Sequence, residues 1–513
     1  MHTQIHFKLM NVYTAAAIAV GAVTCLVMPS ASSVTLDDDN NVNRRLANIE
    51  LRVENSANSA IPDALKPTTL FTLKKAIDYA QLYYPTILKS QQQMVAAREN
   101  IKVQKLNEYM PDSLFQYQEI MASHNQTTST VFSSPVFPGI SGPGFNPISM
   151  TPYMNSAAGF SLDWAPVDFG LHKARIGLSK IQSLQAEKSY GASKIDVATA
   201  VANAFLDAAV AVEQMAAARE NVKSFEQFHS IVQAQISGSL KPAADESLAR
   251  AQLSNSRNDF IRAQLAYDVA MARIATSMGL GGIGVTIDTT GLATRDEPAN
   301  IQQAKPEFAD VPIVQVAKAS VLQAVAQKKI LDKEYFPVFH LLGGVSGRGA
   351  GLNTQSGKAS SNDASGTVPG RPNYDVALIV NWNFLDIFRL NAEKKVQRAK
   401  ISATEQDYEL VLQNLKGQDV ESRARVKAAL ALAQNMPEQV EAADIAVRQA
   451  EARYGTGLGS VAQVAEANQV LASSRVKQAA ARVGVWRALL DVAYVHGDLT
   501  PFIKEADLIQ RGQ

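Results

Sequence analysis

The sequence predicts an α+β membrane protein built from two internal repeats, each joining amphipathic strands to helices too long for a globular domain. Three observations predict it. Short motifs occur twice: Tyr109-Met110-Pro111 returns as Tyr335-Phe336-Pro337, and Trp164-Ala165-Pro166-Val167-Asp168 as Trp382-Asn383-Phe384-Leu385-Asp386. The run Ala249 to Arg257 returns as Ala467 to Arg475, and this pair and the Trp pair both lie 218 residues apart. Finally, the segment ending at each Trp alternates apolar and polar side chains, whereas the segment following it is very long and nearly free of proline.

Composition narrows the function. With 49 Lys and Arg against 48 Asp and Glu, the net charge is +1, so no strong field draws nucleic acid or an acidic surface. Much of the 46% hydrophobic content is alanine, which suits thin, closely packed helices more than a thick core.

The N-terminus, residues 1–32, reads as a secretory signal. Lys8 supplies the only positive side chain of its opening region, an apolar stretch runs from Tyr13 to Met28, and Ser30-Ala31-Ser32-Ser33 suits cleavage. A membrane anchor is the alternative, but the run is short for the roughly 20 residues a span needs. No other stretch is expected to cross a bilayer as a helix. Cys25, the single cysteine, falls inside the signal, which excludes disulfides and cysteine metal sites. Lipidation of Cys25 is the other reading, although the residue three positions before it is Ala22 rather than leucine. Residues 33–69 are polar, include Asp37-Asp38-Asp39, and are expected to form a flexible arm.

The first repeat is placed at 70–290. A helix from Thr72 to Tyr84 should break at Pro85, and a second should run to Tyr109 before Pro111 ends it. Strands are expected near 113–122 and 156–166, with a Pro/Gly-rich loop from His124 to Pro152 between them. In the second strand Phe160, Leu162 and Trp164 share one face and Ser161 and Asp163 the other. A long helix at 171–237 follows, with Ala198, Val201, Phe205, Ala208, Val212, Met215, Ala218, Val222 and Phe225 spaced by threes and fours. At 1.5 Å per residue it reaches roughly 100 Å. A tip at Gly238-Ser239-Leu240 and a return helix at 243–278 complete the repeat.

A linker at 291–306 leads to the second repeat, 307–499. Its helix is placed at 312–335 and its strands near 338–347 and 373–385. A long helix at 389–454, a tip at Gly455 to Gly459 and a return helix at 460–496 follow. Pro437 should kink or restart the long helix. Residues 500–513 are expected to be a tail. In the last strand Tyr374, Val376, Leu378, Val380, Trp382 and Phe384 share a face, as in a strand of a membrane barrel with aromatic residues near each end. A half-buried sandwich strand shows the same alternation.

Four strands cannot close a membrane barrel, since known barrels start at eight. An open edge in lipid leaves backbone groups unpaired, at several kcal/mol each. Several copies of the chain must therefore share one cylinder. Two copies give eight strands and a filled interior; three give twelve and a usable lumen. The strand arithmetic itself does not choose between them.

The double occurrence of Tyr-x-Pro, the Trp before each long helix, and the tips resembles the TolC-like outer membrane efflux family from Leu70 to about Leu499. The resemblance implies a homotrimer: a twelve-strand barrel in outer membrane lipid, four strands per chain, continuous with a long periplasmic α-helical barrel. It implies export of drugs, other small toxic molecules or proteins, by multidrug efflux or type I secretion. Its partners would be a periplasmic adaptor and an inner-membrane transporter of RND, ABC or MFS type. Arg453-Tyr454-Gly455-Thr456-Gly457-Leu458 is similar to the family's tip motif. Adaptor docking would then fall to Gly457 and Leu458, and in the first copy to Gly238, Ser239 and Leu240. Family channels close here with acidic side chains in the pore and a tyrosine and an arginine holding neighbouring helices. Tyr454 matches that tyrosine, but Gly459 stands where the arginine would be. Gln463 replaces one aspartate and Glu466 another, while Asp245 matches the acidic position of the first copy. Trp164 and Trp382 are the expected membrane-interface aromatics.

No enzyme, cofactor or metal site is expected. His124, His172, His229, His340 and His496 are scattered without zinc-ligand spacing. Gly455-Thr456-Gly457-Leu458-Gly459 follows a helix and lacks the Lys-Ser/Thr ending of a phosphate loop. Gly-x-Ser-x-Gly is absent from the sequence. Two other functions fit parts of the chain. A structural coiled-coil protein of the envelope would explain the rods but not the strands, and an uptake porin the strands but not the rods.

Overall fold

A computed structural model describes residues 44, 70–128, 145–237, 243–292, 308–350 and 367–511. The expected signal, Cys25, nearly all of the arm, the tip residues Gly238, Ser239 and Leu240, and most of the linker lie outside these residues.

Strand β1 (Leu70–Phe71) leads into α1 (Leu73–Tyr83), whose first turn is capped by the Thr72 hydroxyl accepting from Lys75 N–H at 3.4 Å. Helix α2 (Pro85–Tyr109) starts on Pro85, which suits a first turn where an N–H has no partner anyway. Strands β2 (Asp112–Thr128) and β3 (Phe145–Val167) pair antiparallel. They reach well into the expected His124–Pro152 loop. The ladder tolerates Pro147 and Pro152 because its register shifts fall beside them, between the pairs Ala122/Tyr153, His124/Ser149 and Gln126/Phe145.

Asp168 then caps α3 (Leu171–Ser237). One carboxylate oxygen accepts from Gly170 N–H at 3.0 Å and the other from His172 N–H. Helix α4 (Ala243–Ser277) returns to β4 (Thr286–Ile287), which pairs parallel with β1. The chain continues through α5 (Pro312–Lys333), β5 (Val338–Ala350), β6 (Arg371–Asn381), α6 (Ile387–Gly455), α7 (Val461–Val495) and α8 (Thr500–Gln510).

The sheet order is β2-β3-β5-β6, antiparallel throughout. The helices attached to those strands pack in the same lateral order, α2 on α3, α3 on α5 and α5 on α6. Each strand therefore runs on into its own helix, and sheet and helices form one continuous wall. Farther from the sheet α4 replaces α2 beside α3, and α7 fills the place between α3 and α6. The heptad positions of α3 face these neighbours: Ala198, Val201, Phe205 and Ala208 have no exposed surface, and Phe225 is also buried.

Register sorts the sheet into two faces. Phe115, Phe160, Val345 and Tyr374 form one cross-strand row, and Trp164 and Leu378 flank Leu341 in another. Leu114, Ser161, Gly344 and Asp375 lie in a row on the opposite face. Every residue of the edge strand β6 is exposed.

Four expectations change. Helix α6 does not restart at Pro437; the ring sits on an exposed position, and α7 packs alongside this stretch, Gln439 Nε2 donating to Ser474 Oγ at 3.3 Å, so the helix runs on past the missing hydrogen bond. Trp382 lies just beyond β6, in the turn before the 3₁₀ segment Phe384–Asp386, because pairing ends at Asn381. The expected tail is α8, whose Phe502, Ala506 and Ile509 are buried in the main core with Trp486. Gln510 fixes it, accepting from Leu73 N–H at 3.0 Å and donating to Asp288 O at 2.6 Å. Finally, an alanine-rich window of α3 is long and apolar enough to cross a membrane, but half of it is buried against neighbouring helices.

Candidate functional site at the helical tip

The turn between α6 and α7 is built by glycine. Thr456 closes the helix, and Gly457, at φ +83°, takes the left-handed conformation that a side chain resists. Leu458 N–H then donates to Arg453 O at 2.9 Å and Gly457 N–H to Tyr454 O at 3.1 Å, the two bonds of a Schellman motif. Such motifs usually tuck the residue after the glycine against the helix. Here Leu458 is 75% exposed, so a rigid turn presents an apolar side chain to solvent.

Gly459 donates to the same Arg453 carbonyl at 2.9 Å. A Cβ at this position would sit 2.9 Å from Tyr454 N and 3.1 Å from the Arg453 carbonyl carbon. The turn therefore has no room for the arginine that the resemblance would put there. Ser460 opens α7 with a capping box: its hydroxyl accepts from Gln463 N–H and its own N–H donates to Gln463 Oε1, both at 3.3 Å. The Gln463 side chain is thus folded back on its own helix end, although the residue is exposed. Glu466, one turn farther on, is exposed.

Tyr454 is 1% exposed and lies in a small core of Phe225, Phe228, Val232, Ala249 and Val461, with its ring edge-on to Phe228 at 5.2 Å. Its hydroxyl donates to Asp245 Oδ2 at 3.4 Å. Burial pushes the phenol up to about 12, and the Asp245 charge and hydrogen bond add to the shift. The structure therefore brings Tyr454 and Asp245 together and leaves Gln463 and Glu466 on the surface. The sequence reading missed Ser460 and Phe228. Ser-x-x-Gln is the sequence mark of a capping box, and Phe228 continues the spacing of Phe225 by three.

At the opposite end, Trp164 Nε1 donates to Tyr109 O at 3.2 Å and Trp382 Nε1 to Tyr335 O at 3.1 Å. Both rings remain about half exposed. Each indole thus bridges the exit of one strand to the Tyr-x-Pro entry of its neighbour. Among the described residues no group of three or more His, Cys, Asp or Glu is placed to hold a metal ion.

The chain matches the family described as outer membrane efflux protein over residues 77–280 and 309–496. No curated protein sequence matches it. Among solved structures it is similar to CusC, a protein studied for folding and transmembrane channel formation, at 15% identity and a TM-score of 0.68; 86% of this chain and 96% of that one are covered. It is also similar to the outer membrane protein VceC of Vibrio cholerae, at 14% identity and 0.64, covering 83% and 96%. The Campylobacter jejuni CmeC outer membrane channel gives 12% and 0.66, covering 86% and 91%.

Proposed function

The chain belongs to the outer membrane efflux protein family and resides in the outer membrane, and from that premise we propose that it is the passive exit duct of a tripartite export system. The observation that carries this reading is the open four-stranded sheet whose strands run on, in the same lateral order, into helices of 67 and 69 residues. At 1.5 Å per residue those helices reach roughly 100 Å, enough to extend a duct far from the membrane. The exposed strand β6 needs a partner in lipid, and β2 of a neighbouring subunit is the free edge available to it.

Three subunits would close twelve strands around a lumen. The apolar sheet face would meet outer membrane lipid, with Trp164 and Trp382 at the interface. The two repeats would supply equivalent parts of each wall. At the far end a periplasmic adaptor would dock on Gly238, Ser239, Leu240, Gly457 and Leu458. An inner-membrane transporter of RND, ABC or MFS type would select the cargo, whether drugs or secreted proteins. Asp245, Tyr454, Gln463 and Glu466 would line or hold the closed end. The acidic rings of other pores favour cations in the same way.

Disulfide trapping tests the assembly. Because Cys25 is the chain's single cysteine, a scan pairing one cysteine in β2 with one in β6 on a Cys25→Ser background starts clean. Oxidised outer membranes should yield covalent trimers. A mature protein recovered only as a soluble periplasmic monomer would eliminate the duct.

A further inference from the structure

The turn between β3 and α3 carries backbone strain that its counterpart in the second repeat does not. Phe169 is the one non-glycine among the described residues with a positive φ, +54°. A bulky side chain resists that conformation, and such outliers persist where the surroundings hold them, often at functional sites. Asp168 holds this turn, accepting from Gly170 N–H at 3.0 Å and from His172 N–H. Glycine or asparagine would sit at position 169 with less strain. The Trp-x-x-x-Asp motif aligns Phe169 with Ile387, whose φ is −55°. The shared architecture therefore does not demand the strain.

What the strained turn positions is a ring. The Phe169 centroid lies 5.6 Å from that of Phe336 and 6.1 Å from that of Phe339. Phe339 pairs with Val167 and Val380, on the apolar face that also holds Trp164, Leu341 and Leu378. From Phe336 the ring contacts run on through Tyr335 and Trp382 to Phe384, at 6.0, 6.4 and 6.2 Å. Yet Phe169 is 48% and Phe336 40% exposed, so the chain itself does not cover these rings. Lys333 stands over them, with Nζ 5.4 Å from the Phe336 centroid. Its neighbour Asp332 is taken by Lys328 at 2.7 Å and Lys394 at 3.2 Å, and among the described residues no carboxylate pairs with Lys333. Lys329, one turn earlier on the same helix face, is exposed.

We propose that Phe169, Phe336 and Lys333 form a binding site for an anionic phospholipid of the membrane leaflet that faces the helices. This rests on the duct reading above, which puts the apolar sheet face in lipid. The site lies where that face ends and the helices begin, the level at which headgroups meet water. The rings seat the glycerol and upper acyl carbons, and the Lys333 ammonium meets the phosphate, with Lys329 about 6 Å farther along the helix. Basic residues beside a membrane surface draw anionic lipids in this way. Phosphatidylcholine carries a cation of its own next to its phosphate, whereas phosphatidylglycerol leaves that charge to the protein.

The test is native mass spectrometry of the full-length assembly released from detergent micelles that hold equal amounts of phosphatidylglycerol and phosphatidylcholine with the same acyl chains. Wild type should retain phosphatidylglycerol preferentially, and Lys333→Gln should lower that preference about fivefold. Lys333→Arg keeps the charge and should keep the preference. Excess inorganic phosphate should leave the lipid bound; its displacement by phosphate would overturn a lipid as the occupant. Phe169→Asn tolerates the left-handed backbone, so its assembly should melt no lower than wild type in plain detergent. The rise in melting temperature that phosphatidylglycerol gives wild type should shrink in this variant. Equal retention of the two lipids by wild type, or an unchanged preference in Lys333→Gln, would overturn the site alone. So would a Phe169→Asn assembly that melts lower in plain detergent yet gains as much from phosphatidylglycerol as wild type, since the ring would then serve only the fold. Failure of the purified chain to assemble in detergent would overturn the duct reading and the site with it.

Discussion

The indole N–H of Trp382 donates to the main-chain carbonyl of Tyr335 across 3.1 Å. Tyr335 lies three residues before Val338, the first residue of β5, and Trp382 follows the last residue of β6, so the bond closes the inner end of that strand pair. Trp164 makes the same bond to Tyr109 in the other half. Phenylalanine at 382 would keep an aromatic ring but lose the donor. Trp382→Phe is expected to cost about 1 kcal/mol and to lower the dissociation temperature of the detergent-solubilised oligomer. Unchanged heat stability would show that the ring alone matters.

Tyr454 and Asp245 join the end of α6 to the start of α4. The 3.4 Å bond is long, so Tyr454→Phe should cost about 1 kcal/mol or less at neutral pH. The alkaline behaviour is more telling. Burial, with Asp245, raises the folded-state pKa from 10.0 to about 12, so the folded protein holds its phenolic proton more tightly than the unfolded chain. This contribution is complete below pH 10 and is lost as pH rises from 10 to about 12. Wild type should lose stability more steeply than Tyr454→Phe across that window, as followed by circular dichroism. Parallel curves would place the phenol in contact with water.

Gly459 is required by contact with its neighbours. An added Cβ meets Tyr454 N at 2.9 Å and the Arg453 carbonyl carbon at 3.1 Å. Gly459→Ala should therefore cost about 1–3 kcal/mol and speed tryptic cleavage at Arg453. Gly459→Arg, the residue the resemblance would put there, should do no better. A Gly459→Arg protein with an intact tip would mean the turn rebuilds freely.

Much of this architecture is legible in the sequence. Alternation in β3 and β6, the spacing in α3 and the prolines at 85 and 111 each act through local sterics or a single buried face, which a linear pattern records. Other parts were not legible, for physical reasons. Strands β1 and β4 are two residues each, too short for any period. Helix α8 is eleven residues long, and its fixing bonds run from Gln510 to Leu73 and Asp288, far away in the chain. Pro437 does not restart its helix because one missing hydrogen bond is a small cost in a 69-residue helix held by α7, a contact far away in the chain. At the tip, Tyr454 was singled out by motif, but its burial against Phe228 and its bond to Asp245 are long-range contacts.

Glu466 bears on the charge of the closed end. It is exposed on the single chain, and three copies facing one pore would place three carboxylates in a ring. Glu466→Ala should then lower the cation preference of the reconstituted channel, most clearly in dilute salt. A wild-type reversal potential in that variant would remove Glu466 from the lumen.

Leu458 separates docking from folding. It is 75% exposed on a turn fixed by main-chain bonds from Gly457, Leu458 and Gly459, so its side chain supports little of the fold. Leu458→Asp should therefore leave stability within about 0.5 kcal/mol of wild type, as surface substitutions usually do. The trimer should form in normal amounts. If an adaptor seats on this side chain, a buried carboxylate would meet an apolar surface there, and burying a charge without a partner is costly. Export by cells that depend on this channel should fall sharply, and co-purification of the adaptor should be lost. Normal export by Leu458→Asp would move the docking surface away from this tip.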